Sequence, residues 1–204
     1  MWQQNSRRSS GRHTAGRHIA DTQTPALYNR FESHFYRKAS AIMNATDLVK
    51  MYELSYGAIN RNLDGVSHAE SLVAPQPSGN CMNWVLGHMI LSRGLLLTLT
   101  GGTPVLSGSQ AEPYKRGSAC GVVDGLLDLA TLRGLLADSQ QQLIPGLAAM
   151  SDAALAGPVP EPHNRPPLTG SVVEAFTRLH YHESYHNGQI GLLRKIAGKD
   201  GAIG

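Results

Sequence analysis

Cysteine is scarce in this chain of 204 residues, which contains only Cys81 and Cys120. Two cysteines are too few for a disulfide framework or for a zinc site built from four thiolates, and they favour a reducing compartment, so we expect a cytoplasmic protein. Long apolar runs are also missing, because the longest apolar segment, residues 89–99, is interrupted by polar residues and a glycine. A membrane span needs roughly 18 to 20 consecutive apolar residues, which excludes a transmembrane protein.

The excess of positive charge is confined to the start of the chain. Residues 1–43 carry seven Arg or Lys residues and two acidic residues, a net charge of +5. The remaining residues carry eleven basic and thirteen acidic side chains, a net charge of −2. A nucleic-acid-binding domain needs a basic surface, so this mildly acidic remainder argues against a nucleic-acid partner.

Residues 1–43 are predicted to form a disordered, basic N-terminal extension. Residues 1–25 are rich in Ser, Arg, Gly and Gln and hold almost no clustered large aliphatics. Such a segment cannot bury enough surface to offset the entropy of ordering. Three interpretations fit: an organellar transit peptide, a nucleic-acid-binding arm, or a start codon placed too far upstream. We favour the third, because a helix start follows Met43 at once.

Apolar residues recur at steps of three and four along four segments of the remaining chain, without an alternating strand pattern of useful length. The predicted helices span residues 47–66, 80–100, 124–143 and 171–197. Pro145 is expected to end or kink the third helix, and segments rich in Gly, Ser and Pro form long crossover loops. The pattern predicts an all-α four-helix bundle over residues 44–198, followed by a short C-terminal tail at 199–204.

Two histidines of the last predicted helix share its apolar face. At about 100° per residue, His186 lies about 40° from His182, whereas His180 lies on the opposite, solvent-facing side. Side chains at this spacing lie ~6 Å apart at Cβ, close enough to bind one metal ion. The alternative is a pair of core histidines bonded to the backbone or to each other. Burying two imidazoles without a shared partner leaves ring nitrogens unpaired, which favours the metal.

The second predicted helix offers a third ligand. His88 lies at the centre of its apolar face, and Trp84 on the same face is expected to be a core residue or a pocket wall. Three facing histidines in a helical bundle form a metal site built on rigid elements. Three imidazoles leave a fourth position for water or substrate, as in catalytic sites, and suit zinc, nickel, iron or copper.

The segments NWVLGHMI, at residues 83–90, and HESYHNGQI, at residues 182–190, resemble the DinB/YfiT-like superfamily of metalloproteins. Members carry one histidine on the second helix and an HxxxH motif on the fourth. The resemblance covers residues 44–198 and implies a four-helix bundle with a long crossover. It further implies one divalent metal ion, zinc or nickel, with a ligand set that maps to His88, His182 and His186.

Three further residues are candidates for a catalytic role: Glu183, Gln189 and Asn83. Glu183 lies at the edge of the apolar stripe. We expect a solvated or helix-pairing carboxylate rather than a general base or an acceptor of a hydrogen bond from a metal-bound imidazole. Gln189 lies on the ligand face, where it can orient an imidazole or a bound water. Asn83 fits either a helix-start cap or a pocket donor. Cys81 lies ~10 Å along the axis from the histidine of its helix, and we expect a small buried hydrophobe.

The resemblance implies two kinds of function. Some related proteins use the metal to activate a low-molecular-weight thiol for transfer or isomerisation, while many have no assigned reaction. We therefore expect a thiol transferase or a hydrolase that acts on a small molecule. The alternative is a non-catalytic metal-binding protein that acts in a stress response or through partner contacts. A homodimer is a further expectation from the resemblance, and no membrane partner is expected.

Overall fold

The computed structural model describes residues 43–118, 125–163, 166 and 168–203. The expected N-terminal extension lies outside these residues, apart from Met43, and so does Cys120. Within the described ranges the chain forms six α-helices, one 3-10 helix and no strand, which confirms the all-α prediction. None of these helices is long and apolar enough to cross a membrane.

Four long helices and three short ones follow one another along the described part of the chain. In order they are α1 (Ala45–Leu63), α2 (His68–Ser71), α3 (Met82–Leu99), a 3-10 helix (Gly108–Tyr114), α4 (Leu129–Ala148), α5 (Asp152–Ala156) and α6 (Val172–Ile196). The long helices α1, α3, α4 and α6 correspond to the four predicted from the sequence. They form a closed ring, in which α1 and α3 each contact both α4 and α6.

Local sequence sets where α1 and α6 begin. The side chain of Asn44 accepts a hydrogen bond from the backbone N–H of Asp47 at 3.0 Å, and the Asp47 carboxylate accepts one from the N–H of Asn44. Ser171 and Glu174 form the same reciprocal pair at the start of α6. Each pair satisfies two backbone N–H groups that no carbonyl of the helix reaches.

The prediction for the third long helix is wrong at both ends. α4 begins at Leu129 rather than at residue 124, because Asp128 caps it by accepting a hydrogen bond from the N–H of Ala130 at 2.8 Å. It continues through Pro145 to Ala148. Leu143 and Leu147 are fully buried on either side of the proline. Their packing outweighs the one backbone hydrogen bond that a proline cannot donate.

The buried apolar residues divide into two clusters, and every long helix contributes to both. The upper core includes Ile59, Met89, Leu132 and Ile190, and the lower core includes Leu48, Leu97, Leu143 and Phe176. Along the chain, α1 and α6 therefore run from the lower to the upper core, while α3 and α4 run the other way. Because α3 and α4 are parallel, the chain must return along the bundle between them. Residues 100–118 and 125–128, the described parts of this connection, are here called the crossover.

Polar side chains separate the two cores. This polar layer consists of Ser55 of α1, Arg93 of α3, Ser139 and Gln140 of α4, and Glu183 of α6. Each long helix thus supplies at least one member, at the point where its apolar residues change from one core to the other. The layer is a shared cross-section of the whole bundle.

An ion pair lies at the centre of the polar layer. Arg93 is 1% exposed and Glu183 is 3% exposed. The arginine donates from Nε to Oε2 of Glu183 at 2.7 Å and from Nη2 to Oε1 at 2.8 Å. Its Nη1 donates to Gln140 Oε1 at 2.8 Å and to Ser139 Oγ at 3.3 Å, and Ser55 Oγ donates to Glu183 Oε1 at 2.5 Å. Burial would raise the pKa of Glu183, but Arg93 and these hydrogen bonds lower it.

Removal of one charge of the ion pair is expected to lower the free energy of unfolding more than removal of both. Arg93→Met should lower the free energy of unfolding by about 3 to 5 kcal/mol, because Glu183 is then a buried charge without a partner. The double variant Arg93→Met/Glu183→Leu removes both charges and should lie much closer to the wild type, since apolar residues of similar volume often replace a buried pair at little cost. Urea unfolding followed by circular dichroism measures both. An equal loss in the two variants would contradict this account.

Candidate metal centre

Three histidines from two helices meet beside the upper core. His88 comes from α3, and His182 and His186 come from successive turns of α6. The ring centroids of His182 and His186 are 4.3 Å apart, and that of His88 is 5.2 Å and 5.1 Å from them, respectively. One ring nitrogen of each residue lies within 4.8 Å of the others, so the three can hold a single metal ion. We call this group the histidine cluster.

Hydrogen bonds on the outer side of two rings determine where the protons sit. Nδ1 of His88 lies 2.8 Å from the carbonyl oxygen of Tyr114, and Nδ1 of His186 lies 2.7 Å from Oε1 of Gln189. Both oxygens can only accept, so each Nδ1 carries the proton and each Nε2 of the neutral ring keeps a lone pair. The Gln189 amide nitrogen donates to the Tyr185 hydroxyl, consistent with this orientation of the amide. Carbonyl partners of this kind orient metal-binding histidines.

The contacts of His182 test whether the cluster fits a metal ion. Its Nε2 lies 3.0 Å from Nε2 of His186, which holds a lone pair, and its buried Nδ1 has no hydrogen-bond partner among the described residues. In a purely structural arrangement, His182 would donate from Nε2 to His186. Its buried Nδ1 lacks a partner in either arrangement, so the fit to a metal rests on the Nε2 atoms. A cation instead accepts the lone pairs of both Nε2 atoms. The donor set therefore fits a divalent metal, and three imidazoles are ligands that such ions favour.

Burial keeps the imidazoles of α6 neutral. Burial, together with smaller contributions from the neighbouring His186 and His88, lowers the pKa of His182 to about 4. Burial also lowers the pKa of His186, although its hydrogen bond with Gln189 acts in the opposite sense. Neutral imidazole is the form that binds metals, so these rings need not lose a proton at neutral pH before they do so.

The crossover holds His88 in place. Tyr114, which supplies the carbonyl, is fully buried, and its ring lies so close to Gly87 that an added Cβ would be 2.2 Å from its Cδ1. Trp84 stacks on the His88 ring with a centroid distance of 4.9 Å and an interplanar angle of 11°. The Trp84 indole N–H donates to the carbonyl of Pro113 at 2.8 Å. Trp84, expected to be a core residue or a pocket wall, is a core residue that also links the crossover to α3.

The sequence led us to expect a solvated or helix-pairing carboxylate at Glu183, and the structure shows a helix-pairing one. It is buried, and Arg93 and Ser55 occupy its oxygens. The solvated alternative is wrong because a helix projection places the residue at the edge of the apolar stripe but does not show the arginine on a facing helix. A carboxylate that a buried arginine keeps ionised is a poor proton acceptor, so Glu183 does not fit a general base.

The other two catalytic candidates also make defined contacts. Gln189 hydrogen-bonds one ligand ring, the arrangement expected of a residue that orients an imidazole. Asn83 is fully buried; its amide nitrogen donates to the carbonyl of Leu127 at 2.9 Å, and its Oδ1 accepts from the Tyr114 hydroxyl at 3.3 Å. It therefore links the crossover to α3 through two hydrogen bonds and does not cap the helix. The N-cap position of α3 belongs to Cys81, which is buried as expected.

His180 lies outside the histidine cluster, as expected, but it does not face solvent. It is half-buried, with Nε2 3.3 Å from the carbonyl of Met51 and its ring edge-on to Tyr52 at 5.3 Å. Burial lowers its pKa. The expectation fails because α1 packs on this side of α6, which the periodicity of a single helix cannot show.

Sequence reasoning missed two residues that shape the site. Arg93 carries a signal that was available, because it is the only charged residue of the α3 sequence and a charge within an apolar helix needs a buried partner. Tyr114 carries none, since it acts on His88 through a backbone carbonyl that any residue could provide.

The fold and the site define a class of protein. It is a four-helix bundle in which α3 and α4 run parallel, with a three-histidine cluster that can hold a metal ion. The family model described as "DinB superfamily" matches residues 51–190. The chain belongs to the DinB superfamily, and the family expected from its motifs is confirmed.

Comparison with solved structures gives a neighbour of the same fold. The chain is similar to a conserved protein from Enterococcus faecalis, with a TM-score of 0.60 and 18% sequence identity. The match covers 77% of this chain and 99% of that one. At this identity the likeness concerns the fold alone. The search among curated proteins found no match.

Substitution of Gly87 tests whether the crossover positions His88. Gly87→Ala is expected to weaken Zn²⁺ binding by about tenfold or more, because the new Cβ displaces Tyr114 and with it the carbonyl bound to the imidazole. Gly134→Ala on α4 is the matched control, since no described atom lies within 4 Å of its added Cβ. Competition with a chelating dye measures both affinities. Equal affinity in the two variants would show that the crossover does not support the site.

The stability of the metal-free chain is expected to fall as the pH is lowered from about 6.5 towards 4. His182 stays neutral in the folded state down to a pH of about 4, whereas an unfolded histidine takes up its proton near pH 6.5. The unfolded state therefore binds more protons in this window, and the free energy of unfolding rises with pH. His182→Leu should flatten the dependence. Urea unfolding in the presence of a chelator measures it, and identical slopes in variant and wild type would contradict the assignment.

Proposed function

We propose that this protein is a metal-dependent enzyme, a thiol transferase or a hydrolase that acts on a small molecule. The observation that carries the proposal is the histidine cluster itself, in which one ring nitrogen from each of three imidazoles is available to a single ion. Three protein ligands leave at least one coordination position for water or substrate, as in catalytic rather than structural metal sites. Membership of the DinB superfamily is consistent with a metal site at these positions.

The proposed cofactor is one divalent ion, zinc or nickel, held by His88, His182 and His186. When bound, such an ion polarises a coordinated thiol or water and lowers its pKa, which yields a nucleophile near neutral pH. The chain supplies the rest of the arrangement. The Tyr114 carbonyl and the Gln189 amide hold two of the rings by their Nδ1 protons, and the buried residues of the upper core shield the inner side of the cluster from water.

The proposed partners are an electrophilic small molecule and a low-molecular-weight thiol. A nucleic-acid partner is not proposed, because residues outside the basic N-terminal segment carry a net negative charge. We also propose a homodimer, which is supported by three large exposed side chains on one face of α6, Tyr181, Tyr185 and Leu192. The scarcity of cysteine supports a cytoplasmic location.

A non-catalytic metal-binding protein is the second candidate, and one observation favours it. The three residues that the sequence offered as catalytic groups all serve other contacts: Glu183 pairs with Arg93, Asn83 bonds the crossover, and Gln189 bonds a ligand ring. An enzyme of the proposed kind must then rely on the ion and its coordinated thiol or water for proton transfer. A metal-binding protein in a stress response requires no such group.

Metal content tests the part that both candidates share. Full-length protein purified without a nickel column is expected to contain about one divalent ion per chain by elemental analysis. His182→Ala should lose stoichiometric binding, because it removes one of three ligands. His180→Ala is the matched control, a histidine on the same helix that contacts α1 instead. Substoichiometric metal in the wild type, or unchanged binding in His182→Ala, would overturn the site.

Turnover separates the two candidates. Metal-loaded wild type is incubated with a panel of low-molecular-weight thiols and electrophilic small molecules, and loss of free thiol is followed over time. His182→Ala at the same concentration controls for the uncatalysed reaction. Catalysis by the wild type alone supports the enzyme. Stoichiometric metal without turnover across this panel and a panel of hydrolysable esters and amides would favour the non-catalytic protein.

A further inference from the structure

The polar layer lies directly beside the histidine cluster and joins the same two helices. Glu183 follows His182 in the sequence of α6, and Arg93 lies five residues after His88 on α3. The bidentate contact between Arg93 and Glu183 is thus made by the two helices that supply the three rings. Each helix carries its charged residue within about one and a half turns of its ligand.

We propose that Arg93 and Glu183 are positioning residues for the metal centre. Their ion pair fixes the axial register and the rotation of α6 against α3, so that His182 and His186 face His88. The inference rests on the metal binding of the proposed function, and it assigns a role to a buried pair that touches neither the ion nor the substrate.

Geometry explains why the helices need such a device. A shift of one residue along a helix moves a side chain by about 1.5 Å and turns it by about 100°. Apolar layers resist such shifts weakly, because leucines can exchange one set of neighbours for another of similar volume. A metal centre tolerates far less, since its ligand distances must agree within about 0.2 Å.

An ion pair meets this need because its geometry is directional. The planar guanidinium matches the carboxylate through two parallel hydrogen bonds, which fixes both distance and orientation. Any sliding of α3 against α6 would leave two opposite charges buried and unpaired, at a large cost in free energy. Buried polar groups are known to specify helix register in this way, even where apolar residues would be as stable.

The two remaining long helices strengthen the constraint. Ser55 of α1 donates to the carboxylate, and Ser139 and Gln140 of α4 accept from the guanidinium, so both charged groups are held from a second side. Ser139 is fully buried and Ser55 nearly so. All four long helices are therefore aligned at one level, next to the level at which the ligands meet.

Cobalt binding tests the proposal, because the visible absorption of Co²⁺ reports on ligand geometry independently of any enzymatic activity. The full chain is titrated with Co²⁺ in its wild-type form and as the double variant Arg93→Met/Glu183→Leu. Urea unfolding confirms that the variant is folded. We expect the variant to bind Co²⁺ about tenfold or more weakly, with an altered visible spectrum, because its helices are free to shift.

A second variant covers the case in which the double variant fails to fold. Ser55→Ala removes one hydrogen bond to Glu183 and leaves both charges paired. It is expected to weaken Co²⁺ binding about threefold, less than the double variant, since Arg93 and Glu183 stay paired and only one hydrogen bond to the carboxylate is lost. Tyr52→Phe is the matched control. It removes the buried hydrogen bond from α1 to the Phe176 carbonyl of α6, at 2.8 Å, and it lies outside the polar layer.

The outcomes distinguish this inference from the proposed function. Weaker binding and a changed spectrum in the layer variants, with wild-type behaviour in Tyr52→Phe, would support a positioning role. Unchanged affinity and spectrum in a folded layer variant would overturn it, as would an equal effect of Tyr52→Phe, which would indicate a general loss of stability. If the wild type itself fails to bind Co²⁺, the metal site and this inference both fall.

Discussion

The buried ion pair of Arg93 and Glu183 is the interaction on which the rest of the structure depends. Two charges withdrawn from water are tolerable only when each is fully bonded, and here the bonds come from all four long helices. The pairing therefore demands one alignment of the bundle. The two apolar cores lie on either side of the polar layer. The three imidazoles meet next to this layer, on the same two helices that supply the ion pair.

The second constraint is the direction of the chain. Because α3 and α4 run parallel, a long connection has to pass back along the bundle, and the fold uses this connection to complete the site. Tyr114 reaches His88 with its carbonyl and Asn83 with its hydroxyl, while Trp84 bonds the same segment through its indole. A loop required by topology thus becomes the outer support of a ligand, and Gly87 leaves the space that this close approach needs.

Much of this could be predicted from the sequence where periodicity carries the information. A helix has 3.6 residues per turn, which determines the residues that share one face. On this basis the sequence predicted a shared site for His182, His186 and His88. Relations between helices could not be predicted in the same way. The burial of Glu183 could not be predicted because its partner lies on another helix, and that of His180 because α1 covers it. The contact of Tyr114 is made by the backbone and leaves no trace in residue type.

The distribution of the ligands along the chain has a consequence for how the protein acquires its ion. His88 belongs to the second long helix, its carbonyl partner to the crossover, and His182 and His186 to the last long helix, so a chain without α6 lacks two of the three histidines. Metal uptake must follow the docking of α6. An ion bound at that stage would stabilise only the bundle in which α6 is docked.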